Sequence, residues 1–361
     1  YGQLSSDGER VYLVDELGYA ASPHYPQGVL IVAGGRALQN PGSPKPFNVL
    51  VALELETEGK IVWKVGGESG FDEDELAGAF FLGPPLCRDG KLYVLAELKG
   101  EIQLVVMDAR TGQLQWQQQL AYVDSQTILI DSTRRLAGAT PSGEGNLLIC
   151  PTSAGAVVAV DIAKRSLLWG YAYESSHAAP RRVNMWRVTA TPPKPVGSHW
   201  ADGSATIADN CVLLTPVESD HLHCVDLLTG QPLWDPQPRG TMLYVGGIHR
   251  DRAIMVGQDQ VRAIQLADGN AAWALPLDGE TPSGRGYQSG DYYFLPTVSV
   301  QQSQGSLLRI NLATGKVDRR VKSKGILGNL VVYQDQVLSQ SPTWLSSFYQ
   351  MEPLKKKVDA R

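Results

Sequence analysis

The stretch "VVMDARTGQLQW", Val105 to Trp116, decides the fold. An apolar run ends at Asp108, a turn holds Thr111 and Gly112, and a tryptophan closes the phrase at Trp116. The chain writes variants of this phrase along its length. "HLHCVDLLTGQPLW" places Asp226, Thr229, Gly230 and Trp234 at the same offsets. "AVVAVDIAKRSLLW" keeps Asp161 and Trp169 but has Arg165 where the glycine stood. "QVRAIQLADGNAAW" keeps Gly269 and Trp273, with Gln265 for the aspartate. "LLRINLATGKVDR" keeps Thr314 and Gly315, with Asn311 and Arg319 in the outer places. "VALELETEGKIVW" keeps Gly59 and Trp63 around a longer turn. From Trp63 to Arg319 the steps are 53, 53, 65, 39 and 46 residues, a repeat length of the propeller kind.

A second phrase precedes each copy, a polar turn followed by a short apolar strand. It reads "SDGERVYLV" from Ser6, "RDGKLYVLA" from Arg88, "GEGNLLICP" from Gly143 and "ADNCVLLTP" from Ala208. It recurs as "RDRAIMVGQ" from Arg250, "SGDYYFLPT" from Ser289 and "YQDQVLSQS" from Tyr333. These runs are β-branched or aromatic and bounded by Gly, Asp, Asn and Pro, as strands are. Each unit therefore reads as a four-stranded antiparallel meander. A sheet of that size cannot cover both its faces, so it must pack on the next one. The aspartate accepts hydrogen bonds from turn N–H groups. The glycine supplies a positive φ. The tryptophan offers an apolar plate to the neighbouring sheet. The expected fold is all-β, a single propeller of seven four-stranded blades with eight as the alternative, over residues 1–350. Asp108, Gly112, Trp116, Asp161, Trp169, Asp226, Gly230, Trp234, Gly269 and Trp273 are its structural repeat residues.

The pattern A-x-D-x-x-T-G-x-x-x-W after D-G-x-x-Y/L-V resembles the PQQ-type β-propeller repeat, and the resemblance runs from about Ser5 to Gln350. Similar repeats occur in quinoprotein dehydrogenases and in the scaffold lipoprotein of outer-membrane barrel assembly. They also occur in large bacterial proteins that join a propeller to helical repeats, which "TPVESDHLHCVDLLTG" and "TPSGRGYQSGDYYFLP" resemble most. The resemblance implies an extracytoplasmic protein, periplasmic or secreted. A quinoprotein dehydrogenase of this kind carries two adjacent cysteines, carboxylate and amide ligands for Ca²⁺, and an aspartate base. The four cysteines here, Cys87, Cys150, Cys211 and Cys224, are never adjacent. The expected function is accordingly a non-catalytic scaffold or protein-binding propeller of a larger protein, with no cofactor, its partner a protein or other domains of the parent. The alternative is a quinoprotein-type oxidoreductase or a cofactor-binding propeller.

Composition narrows the classes further. The net charge of −5 disfavours a nucleic-acid groove. No apolar run is long enough to span a membrane. The chain starts without Met and shows no signal peptide, and its basic tail over 351–361 is expected to lead into a further domain. No H-E-x-x-H, G-x-S-x-G or Walker loop is present. "AGGRALQNPG", Ala33 to Gly42, lacks the spacing of a phosphate cradle and reads as a surface loop.

Three local features carry alternatives. Cys211 and Cys224 lie on strands joined by a turn and are either a cross-strand disulfide or two buried thiols, whereas Cys87 and Cys150 are expected to be buried thiols on separate blades. His221 and His223 alternate on one strand and are either metal ligands or polar strand residues. The segment Tyr173 to Gly203 departs most from the repeat and is either a binding loop or a loop packed on its own ring. As a binding loop it would supply Arg181, Arg182, Trp186 and Trp200, joined by Glu218 and Asp220, and by Arg285 and Tyr287, to a face suited to an acidic or extended protein segment.

Overall fold

A computed structural model describes residues 4–16, 31–33, 36–38, 45–123, 128–129, 131–175, 197–299 and 301–349. The fold is all-β, a seven-bladed propeller, and the alternation of apolar strands with Gly- and Asp-rich turns is what builds it. The described residues contain only one α-helical turn, Ser132–Arg135, and one 3-10 turn, Asp74–Leu76. The chain forms two compact units, Tyr1–Pro238 and Arg239–Arg361.

The first unit holds four blade sheets among the described residues. Blade 1 runs Ser5–Ser6, Arg10–Asp15, Val49–Glu54, Lys60–Gly66, with a short outer piece at Gly70–Phe71. Blade 2 begins with the pieces Phe80–Phe81 and Leu86–Arg88 and continues through Lys91–Leu98, Glu101–Asp108 and Leu114–Tyr122. Blade 3 comprises Ser142–Glu144, Leu147–Pro151, Ala156–Asp161 and Ser166–Ala172. Blade 4 comprises Ala205–Ala208, Cys211–Leu214, His221–Asp226 and the two-residue strand Gln237–Pro238.

The second unit holds blade 5, Met242–His249 to Ala271–Pro276, and blade 6, Glu280–Pro282 to Lys316–Lys322. Its last sheet, Asn329–Tyr333, Gln336–Gln340 and Leu345–Tyr349, has three strands among the described residues. That shortfall follows from the sequence, which has no Thr-Gly-Trp phrase after this point. The glycine-rich stretch expected to be a surface loop instead contributes a two-stranded ladder, Ile31–Ala33 with Arg36–Leu38.

All pairings within the blades are antiparallel, as short connections require. The third-to-fourth ladder carries the same irregularity in five blades. The register jumps between Ala52 and Leu53, Val106 and Met107, Ala159 and Val160, Ala263 and Ile264, and Arg309 and Ile310. In each case one residue of the fourth strand is left over just before the tryptophan position: Val62, Gln115, Leu168, Ala272 or Asp318. Such a bulge re-aims the side chain that follows it. It explains why Val62 and Leu168 are exposed although apolar, and why Trp63, one residue later, is buried.

The core lies between successive sheets. Leu50, Val65 and Phe81 pack with Val94 and Val105 between blades 1 and 2. Leu95 and Leu104 pack with Leu148 and Val158 between blades 2 and 3, and Ile149 and Val157 with Val212 and Leu214 between blades 3 and 4. In the second unit Ile254 and Val261 pack with Leu295 and Leu308.

The repeated phrase is a fastening between blades. Asp108 Oδ1 accepts from the N–H groups of Arg110 and Thr111 at 3.0 and 2.9 Å and from the Thr111 hydroxyl. Asp226 and Asn311 hold the same three bonds in their turns. Trp63 lays its ring on Gly112 of the next blade and donates Nε1–H to the Ala109 carbonyl at 3.2 Å. Trp169 does so with Gly230 and Leu227, and Trp273 with Gly315 and Leu312. Where Arg165 replaces the glycine, its guanidinium sits 5.7 Å over the Trp116 ring.

Candidate functional site

The two edges of each blade in the first unit are unlike. The Asp-Gly and Thr-Gly turns, which join first to second and third to fourth strands, stay short at one edge. Every long connection leaves from the other edge: residues 16–48, 123–141 and 173–204. A rigid sheet frame with long loops at one edge is where binding residues belong.

Loops at that edge are tied to one another by buried polar groups. Asp131 caps the short helix by accepting from the Arg134 N–H at 2.9 Å. Arg134 Nε then donates to Glu97 Oε2 at 2.8 Å, and its Nη1 to Asp131 Oδ2 at 2.9 Å. Arg134 and Glu97 are both buried. Burial outweighs the Arg134 charge and raises the Glu97 carboxyl above the usual carboxylate range. Arg135 donates to the Lys45 carbonyl at 2.8 Å and to Glu16 at 3.1 Å, while its guanidinium lies 4.8 Å from the Phe80 ring centre. The loop after blade 2 is thereby tied to the insertion of blade 1. The Gly203 N–H donates to the Ala137 carbonyl at 3.2 Å, tying it to the loop before blade 4.

A second polar cluster fills the seam of blades 3 and 4 at this same edge. The Tyr173 hydroxyl donates to Glu218 Oε1 at 2.6 Å, and the Gly155 N–H reaches that oxygen at 3.3 Å. Burial, then the Glu218 charge, raise the Tyr173 hydroxyl far above the usual phenol value. His223 Nδ1 lies 3.1 Å from the Tyr171 hydroxyl and its Nε2 3.3 Å from the Ser219 hydroxyl. Desolvation, with the neighbouring His221, lowers His223 to about 4. The imidazole is therefore neutral at pH 7.

Arg181, Arg182 and Trp186 lie outside the described residues. Trp200 is fully buried and donates to the His221 carbonyl at 3.1 Å, so it packs on the propeller. Glu218 is buried, as above, and Asp220 beside it is half-buried. Arg285 and Tyr287 belong to the second unit, where Arg285 lies 4.5 Å over the Tyr244 ring and Tyr287 stacks on Phe294 at 4.8 Å. His221 and His223 share a side of their strand with ring centres 6.2 Å apart. Among the described residues no three His, Cys, Asp or Glu side chains gather as a metal site requires. Cys150 is buried in blade 3 as expected, whereas Cys87 in blade 2 is only half-buried, its thiol 3.7 Å from the Ser5 hydroxyl of blade 1.

Sequence reasoning missed Tyr171, Tyr173, Glu97, Arg134 and Arg135 as the polar ties of the loop edge. Their signal was present in part: "STRR" after Asp131 is a helix-start pattern.

The family model for the outer membrane protein assembly factor BamB matches residues 5–199 and 184–325. The chain belongs to the BamB-like propeller family. No curated protein matches it in sequence. Among solved structures, BamB from Moraxella catarrhalis is similar at 17% identity, over 97% of this chain and 94% of that one, with a TM-score of 0.40. A europium-containing methanol dehydrogenase is similar at 12% identity, over 84% and 73% of the two chains, with a TM-score of 0.48. The computationally designed Ika8 protein is similar at 13% identity, over 84% and 93%, with a TM-score of 0.38. In this BamB-like chain no described helix is long and apolar enough to cross a membrane.

Proposed function

We propose that this BamB-like propeller is a non-catalytic protein-binding scaffold of a larger extracytoplasmic protein, and that the loop edge of its first unit is the binding surface. One observation carries the reading. The acid and imidazole groups best suited to chemistry at that edge, Glu97, Glu218 and His223, are buried and engaged in holding loops and blades together. A catalytic acid or base needs an open approach to its substrate, whereas a binding loop needs a frame that holds it still.

Membership of a family described as an outer membrane assembly factor supports both the scaffold role and the extracytoplasmic location. The partner is a protein segment or another domain of the parent, and the segment 176–196 supplies Arg181, Arg182 and Trp186 as its contacts. Arginine forms bidentate bonds with carboxylates and tryptophan is a common anchor.

Two measurements test the reading. Capture of the parent protein's remaining domains is compared between wild type and Arg181→Ala, Arg182→Ala and Trp186→Ala. Loss of capture in folded variants supports the surface, and equal capture by all removes it. Absorption and calorimetric titration with PQQ and Ca²⁺ is expected to show no stoichiometric binding. Tight, stoichiometric uptake would replace the scaffold reading with a quinoprotein one.

A further inference from the structure

Blade 4 carries a pair of thiols set up for reversible chemistry. Cys211 opens the strand Cys211–Leu214, and Cys224 lies in the partner strand His221–Asp226. They are not directly opposite. Cys211 pairs with Asp226 and Leu213 with Cys224, so the cysteines are diagonal neighbours on one face of the sheet. The alternating residues Val212, Leu214 and Val225 pack towards blade 3, so the two sulfurs occupy the other face. Both thiols are buried, and their sulfurs are 2.9 Å apart.

We propose that Cys211 and Cys224 form a reversible dithiol–disulfide couple that exchanges with a soluble thiol–disulfide pair of the glutathione kind. A disulfide needs a sulfur separation of about 2.05 Å and Cβ atoms about 3.5–4.5 Å apart. Diagonal cross-strand residues have their Cβ atoms further apart than opposite ones. The bond would thus close from a sulfur separation of 2.9 Å across a diagonal pairing and not across an opposite one. A disulfide that works against its frame is reduced more readily than a relaxed one. The arrangement favours easy closing and easy opening over a permanent staple.

The two sulfurs are also unequal, as exchange chemistry wants. Their shared hydrogen bond moves the two thiols in opposite directions, Cys211 downwards and Cys224 upwards. Cys211 follows the two-residue turn of Asp209 and Asn210, both at positive φ, at the hairpin end nearest solvent. Fraying of that hairpin end exposes Cys211 first. Its thiolate attacks one sulfur of the incoming disulfide, forming a mixed disulfide and releasing one thiolate. Cys224 then gives up its proton and attacks the Cys211 sulfur, releasing the second thiolate. The two protons lost by the cysteines go to the two released thiolates. Two protein thiols are oxidised and one small disulfide is reduced to two thiols.

The strands so linked are joined by the turn through Glu218 and Ser219, which hold Tyr173 and contact His223. Oxidation therefore acts on the seam of blades 3 and 4. The full chain is equilibrated with mixtures of reduced and oxidised glutathione, trapped by alkylation and mapped by mass spectrometry without reduction. The Cys211–Cys224 crosslink is expected to pass from mostly absent to mostly present within about a hundredfold change in glutathione ratio. Cys211→Ser and Cys224→Ser abolish the crosslink. The Cys87→Ser/Cys150→Ser double variant, which retains the pair, keeps it and gives the same midpoint if the single variants fail to fold. Thiols that stay reduced in oxidised glutathione alone overturn the proposal. So does a crosslink that survives a large excess of reduced glutathione, since that would be a permanent staple.

Discussion

The indole of Trp169 lies flat against Gly230 of the next blade, so close that a methyl group on the glycine would sit 2.5 Å from the ring. Its Nε1–H meanwhile donates to the Leu227 carbonyl at 2.9 Å. The glycine thus answers two demands at once, a φ of +69° and room for an indole. Gly230→Ala is expected to lower stability by about 2–4 kcal/mol, the sum of a strained backbone and an overpacked seam. Urea unfolding followed by Trp fluorescence reads it. A loss under about 1 kcal/mol would mean that the ring can move aside at little cost.

The seam below it provides the converse case. Arg165 holds φ of +52° without being glycine and lies over Trp116. Removing the left-handed strain gains about 1 kcal/mol, and losing the cation–π contact costs about 0.5–1 kcal/mol. Arg165→Gly should therefore change stability by less than about 0.5 kcal/mol. Gly112→Arg, at the seam where Trp63 lies on the glycine, should cost several times more by the same unfolding assay. Equal effects in the two seams would show that the arginine is no substitute device.

His223 makes stability depend on pH. Its folded-state value of about 4 lies below the 6.5 of a free imidazole, so the unfolded chain binds the proton more readily. The stability is fully present above pH 6.5 and is lost as pH falls towards 4. The expected loss over that window is about 2–3 kcal/mol. Replacing His223 with Phe should flatten this part of the pH profile, measured by denaturant unfolding between pH 7 and 4.5. An unchanged slope would assign the dependence to other groups.

The Arg134–Glu97 pair gives a fourth energetic test. Both partners are buried; removing Arg134 takes the cation away from Glu97, whereas neutralising Glu97 leaves Arg134 still paired with Asp131. Arg134→Ala is expected to cost about 3–5 kcal/mol. Glu97→Gln should cost less, because the neutral amide can still accept from the guanidinium and carries no uncompensated charge. Thermal unfolding of the two variants beside wild type decides it, and equal losses would contradict the burial argument.

The repeat made the blades legible, because its parts act within a few residues of one another. Asp226 bonds to Leu228 and Thr229, and that turn could be read from "DLLTG" alone. The seam could not be read so directly. Trp169 and Gly230 are 61 positions apart in the chain, and nothing local tells the glycine's need for space from its need for positive φ. The bulge before the tryptophan position in five blades was hidden for a related reason: a leftover residue such as Leu168 looks like ordinary strand until its partner strand is known. The loop edge was the least legible. "SDHLHC" places His221 and His223 on one side of a strand, but the surroundings of His223 are Tyr171 and Tyr173 of another blade. Trp200 reads as a hot-spot residue in sequence and is a packing residue in the fold, since loop composition does not encode which side chains turn inward.

The separation of long and short connections in the first unit has a consequence for engineering. The fastenings that hold neighbouring blades sit at the short-turn edge, in phrases such as Asp108–Trp116. The opposite edge can then accept grafted peptides without touching those fastenings, provided that Arg134, Arg135 and Glu218 keep their partners. A chain built this way is a display frame with an interchangeable side, on which new recognition sequences could be exchanged while the blades stay constant.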